Sequence, residues 1–129
     1  MCLFSKQDIY TTDSDIMCYK VGEASPNGIT SPYKYFFFEF DKLYTDQEPE
    51  KVMTYGEGHK IIEEGFFHAF RDEKAALKEA EDLNRGYGYK KYYKIFKAII
   101  PKGTRYCEGE LYDICAKSIK ILNEIEYEI

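Results

Sequence analysis

The chain has 129 residues, 44% of them hydrophobic and 32% charged, the size and balance of one domain that can bury a core without staples. Four cysteines with no CxxC spacing and no histidine at a ligand interval argue against a zinc centre. The opening apolar run Cys2-Leu3-Phe4 is too short for a secretory signal or a membrane span, so a reducing, cytoplasmic setting is expected. Net charge is −5, but residues 85–106 carry seven cations and no acid, which leaves −12 for the rest. That distribution suits a local anionic ligand or a mixed-charge protein partner and argues against bulk nucleic-acid coating.

In chain order, residues 16–21 (IMCYKV) predict a first strand, and Ser25-Pro26-Asn27-Gly28 predicts a type I turn. Residues 33–40 (YKYFFFEF) are apolar at both parities, the pattern of a central or sandwiched strand. The acidic stretch 41–58 reads as a long surface loop with a short strand at 52–55. A strand follows in GFFHAF, residues 65–70. Asp72 caps a helix over about 72–84, in which Ala76, Ala80 and Leu83 form a narrow apolar stripe. Asn84 and Gly86 end it, because both tolerate a left-handed cap. Residues 92–100 predict a strand with Phe96, Ala98 and Ile100 turned to the core. Further strands are expected at 105–110 and 116–122, and at 125–129, where Ile and Tyr alternate with Glu. About seven strands around one principal helix make an α+β domain with a mixed, mainly antiparallel sheet.

Three constellations carry chemical interest. His68 shares strand parity with Phe66 and Phe70, so it is either a ligand-facing imidazole in an aromatic cleft or a structural histidine bonded to backbone. The segment RGYGYKKYYK interleaves cations, which suit phosphate, with tyrosines, which suit base stacking. If Phe96 faces inward, alternation puts Lys91, Tyr93 and Lys97 together on the outward face. Arg105 extends the basic segment, and Glu110, with Glu108, adds a carboxylate pair. There is no GxSxG elbow. Gly86 and Gly88 follow the helix and so do not form a phosphate loop ahead of one. No metal or cofactor is implied.

From residue 61 onward, GFFHAF, the alanine-containing helix and IFKAIIPKGTRY stand in an order that resembles the mono-ADP-ribosyltransferase fold, and Glu108-Gly109-Glu110 matches its closing Glu-x-Glu. His68, Ala69 and Phe70 occupy the family's Ser-Thr-Ser position, and Tyr19-Lys20 its first-strand arginine, so the resemblance implies topology without transferase chemistry. The stretches MCLFSKQ, CYK, SPY, IPKGT and CAKSIKI make the whole chain similar to small uncharacterised proteins of gut Bacteroidales phages, which implies an accessory role against a host defence. The expectation is a non-catalytic binder of a small anionic nucleotide, with His68, Lys91, Tyr93, Lys97, Arg105 and Glu110 as its ligand set. The alternatives are a module that blocks a host protein and a diverged NAD-dependent transferase.

Overall fold

A computed structural model describes residues 3–5, 8–32, 36–86, 88 and 92–126. It contains thirteen strands and one helix among those residues. The strands are β1 (Leu3–Ser5), β2 (Tyr10–Thr11), β3 (Ile16–Ser25), β4 (Gly28–Thr30), β5 (Phe37–Glu39), β6 (Leu43–Thr45), β7 (Lys51–Tyr55), β8 (His59–Glu64), β9 (Phe67–Phe70), β10 (Tyr93–Ile100), β11 (Arg105–Glu108), β12 (Asp113–Ala116) and β13 (Ser118–Ile125). The helix α1 spans Glu73–Arg85. The α+β class is as expected, but the strands exceed seven and all their pairings are antiparallel.

A ten-stranded sheet runs β2-β11-β12-β9-β3-β10-β13-β6, with β4 attached to β3 and β5 to β4; a three-stranded sheet runs β1-β8-β7. Strand β10 forms as its pattern predicts: Phe96, Ala98 and Ile100 are buried, and they face Lys20, Cys18 and Ile16 across β3. These side chains build the main core together with Ile114, Ile119 and Ile121. Each fully buried Ile or Phe contributes about 1.5–3 kcal/mol. The other face of β3 and β10 presents Val21 and Ile95 to Ala76 and Ala80 of α1, whose small side chains let the helix lie close. A third core, with Leu3, Ile62, Phe66, Cys107 and Cys115, joins the small sheet to the β11–β12 end of the large one.

Several expectations are corrected. The aromatic run at 33–40 gives only the three-residue β5, hung on β4 at the margin of the sheet. Phe38 is buried there, while Phe36 and Phe37 remain exposed; residues 33–35 lie outside the described residues. Gly28 makes that pairing possible, because a Cβ there would sit 2.0 Å from the Phe38 carbonyl oxygen. The stretch 41–58 forms the short strand expected at 52–55 as β7, beginning at Lys51, and also the unexpected β6. The strand expected at 116–122 forms as β13, from Ser118 and running on to Ile125, and β12 before it is unexpected. β12 is buried at all four positions, so it shows no alternation to read.

The helix lies where its stripe places it, yet its ends differ from expectation. Asp72 makes no side-chain capping bond, and Gly86 has a right-handed φ of −66°. Asn84 secures the C-terminus instead: its amide donates to the Tyr93 carbonyl at 2.9 Å and accepts from the Tyr93 N–H at 2.7 Å, tying the helix to β10. The expected terminal alternation at 125–129 enters β13 only at Ile125, and residues 127–129 lie outside the described set.

Candidate functional site

The site arises from a break in strand pairing. Strand β10 takes one edge of β3 continuously from Ile16 to Glu23. On the opposite edge β9 meets β3 at Tyr19 alone, and β4 meets it at Glu23–Ser25. Lys20, Val21 and Gly22 therefore have no strand partner on that side, and β9 and β4 diverge around them. A cavity of about 640 Å³ opens at this gap. Five phenylalanines, Phe36, Phe38, Phe66, Phe67 and Phe70, contribute to its walls. The Phe36, Phe38 and Phe67 rings form one group, with centroids 4.7–5.7 Å apart. Such tilted and edge-on contacts hold rings in fixed orientations.

Lys20 sits at the base. Its position in β3 matches that of Cys18, so it points into the main core side of the sheet and is only 6% exposed. Its Nζ donates to the main-chain carbonyl of His68 and lies 5.6 Å from the centre of the Phe38 ring. No carboxylate among the described residues forms an ion pair with it. Burial disfavours the ammonium and lowers the Lys20 pKa from 10.5 to about 8; the neighbouring Cys18 acts weakly in the other direction. A buried cation without a counter-charge carries a large solvation penalty, and here it is placed at a cavity wall.

Three carboxylates also line the cavity. Asp46 and Glu48 come from the segment between β6 and β7, and Glu79 from α1. Lys117 holds the Glu48–Pro49 wall in place: its Nζ donates to the carbonyls of Glu48 at 2.9 Å and Gly65 at 2.8 Å, above the Phe66 ring. Only glycine permits this approach at residue 65. Its φ is +91°, and a Cβ there would lie 2.6 Å from Glu50 Cα.

The residues singled out from the sequence are scattered. His68 lines the cavity, half-buried, with its Nδ1 buried and its carbonyl engaged by Lys20. Tyr93 does not face outward as alternation with Phe96 suggests, because α1 covers that face and Tyr93 packs against it. Lys97, on the same face of β10, is exposed and does not line the cavity. Arg105 is exposed too and forms a two-point pair with Glu50 at 2.8 and 3.0 Å, beside the Pro49 wall, so its contribution is to position that segment. Glu110 lies in the β11–β12 turn, where its N–H donates to the Phe4 carbonyl. Lys91, with Tyr87, Tyr89 and Lys90, lies outside the described residues. Among the described members of the basic stripe, Arg85 pairs with Asp82, Lys94 with Glu124 and Arg105 with Glu50.

Lys20 escaped the sequence-based selection, although its signal was present in IMCYKV: a cation at the same parity as Cys18 in an apolar strand. The described cysteines offer no activated nucleophile. Burial pushes the Cys18 thiol up to about 12 and raises Cys107 and Cys115 as well. Among the described residues no cluster of three His, Cys, Asp or Glu could hold a metal ion, and no helix is long and apolar enough to cross a membrane. No protein-family model, curated protein or solved structure matches the chain.

Proposed function

We propose that the protein binds, without transforming it, a small aromatic monoanion, with a cyclic mononucleotide as the representative ligand. The observation that carries this is the Lys20 ammonium, buried in the wall of a cavity that five phenylalanines line, with no carboxylate among the described residues paired to it. A bound anion would supply the missing counter-charge, and charge-assisted bonds of this kind contribute about 1.5–3 kcal/mol. The volume of about 640 Å³ falls in the range of small-molecule sites. Stacking on a ring adds roughly 1–3 kcal/mol per base. One cation and three carboxylates in the lining favour a single negative charge and disfavour a triphosphate, which Asp46, Glu48 and Glu79 would repel. The ligand seat therefore lies in the β3–β9 gap and not on the outer face of β10. The biological role we assign is sequestration of a host defence signal, in keeping with the resemblance to phage accessory proteins.

Thermal-shift and calorimetric titration with cyclic AMP, cyclic GMP and ATP tests this. The cyclic monoanions should raise the melting temperature and ATP should not. Lys20→Met should weaken binding about 10- to 150-fold, the equivalent of the charged bond. Absence of any shift with the cyclic nucleotides, alongside specific capture of a host protein, would favour the interaction-module alternative.

A further inference from the structure

We propose that Lys20 is also a covalent attachment site, whose ε-amine condenses with an aldehyde carried by an aromatic small molecule seated among Phe36, Phe38 and Phe67. The proposal shares the cavity with the binding function above but does not depend on an anion. Its basis is geometric. Lys20 is more than nine-tenths buried, lines a cavity of about 640 Å³, has no ion pair among the described residues and makes one hydrogen bond, to the His68 carbonyl. An ammonium locked in a salt bridge cannot give up its proton readily; this one is held only by a neutral acceptor. The Phe38 ring, centred 5.6 Å from Nζ, and the burial of the side chain disfavour the charged ammonium relative to the neutral amine.

Burial acts in the same direction. With its pKa lowered to about 8, about one Lys20 in ten carries the neutral, nucleophilic amine at pH 7, against about one in three thousand for an ordinary exposed lysine. In the reaction the ammonium first releases a proton to solvent. The amine nitrogen then attacks the carbonyl carbon, and one N–H proton moves to the carbonyl oxygen to give a carbinolamine. Loss of that hydroxyl with the remaining N–H proton expels water and leaves the C=N bond. Protonation of the imine restores one N–H, which can again donate to the His68 carbonyl.

Benzaldehyde, which is uncharged, is the suitable probe, with cyanoborohydride to reduce the imine and peptide mapping to locate the added benzyl group on the intact, folded chain. At limiting aldehyde Lys20 should be modified at least tenfold faster than any other lysine. Lys20→Arg keeps a cation but cannot condense, and it should remove the fast addition and leave the slow surface background. Modification of Lys20 no faster than that of the exposed lysines overturns the proposal, and this comparison needs only the wild-type protein. Fast addition without cyclic-nucleotide binding would sink the anion proposal and leave this one standing. Nucleotide binding with no preferential adduct would do the reverse.

Discussion

Replacing Lys20 with Met keeps the length of the side chain and removes its charge, and the resulting change in stability should depend on pH in a direction fixed by the structure. The unfolded chain holds the Lys20 proton with a pKa near 10.5, and the folded chain with one of about 8. Below about pH 8 both states are protonated, and the folded state carries the full penalty of burying the ammonium. Between the two values the unfolded chain keeps the proton that the folded chain has released, so wild-type stability rises with pH. The size of that rise is about 3 kcal/mol. Met also leaves the His68 carbonyl without its donor, which costs about 1–3 kcal/mol at every pH. At pH 7 the variant should therefore range from equal to about 2 kcal/mol more stable, and near pH 10.5 it should be about 1–3 kcal/mol less stable. Paired urea titrations measure the difference. Other groups that titrate in the same range are common to both proteins and cancel. With a slope of about 1–3 kcal/mol per molar urea, the gap between midpoints should swing by roughly 1–3 M. A gap that stays constant from pH 7 to 10.5 would refute the burial of a charged, unpaired Lys20.

Gly28→Ala places a methyl group 2.0 Å from the Phe38 carbonyl oxygen. It should detach β5 and lower stability by several kcal/mol, read as a lower urea midpoint and faster amide exchange at residues 28–30 and 37–39. Cys18, Cys107 and Cys115 are buried with raised thiol pKa values, so iodoacetamide at pH 8 should label them only on unfolding. Rapid labelling of any of the three in the native protein would contradict the packing of its core.

The sequence by itself determined the elements whose patterns are local. The Ala76/Ala80 stripe placed α1 to within a residue at each end, because a helix satisfies its own hydrogen bonds and needs only one apolar face. Phe96, Ala98 and Ile100 placed β10, because a strand with one face in the core alternates. Ser25-Pro26-Asn27-Gly28 became the β3–β4 turn, since Pro26 presets its backbone and Gly28 makes room for β5. The same alternation rule failed for Tyr93, because it distinguishes two faces and cannot report that α1 covers the second.

What only the tertiary structure decided is the site. The gap beside Lys20, Val21 and Gly22 exists because β9, distant in the chain, pairs with β3 at Tyr19, while β4, next along the chain, pairs with it at Glu23–Ser25, so the two claim different parts of one edge. No local pattern encodes which strand pairs with which, nor where a pairing stops. The cations of residues 85–106 look like one patch in the sequence, yet Arg85, Lys94 and Arg105 pair with carboxylates in three different places, Asp82 in α1, Glu124 in β13 and Glu50 ahead of β7. Lys20, a lone cation in an apolar strand, becomes the central charge. Its importance comes from what surrounds it, which is the Phe38 ring, the His68 carbonyl and, among the described residues, no carboxylate partner, and those neighbours meet only when the chain folds.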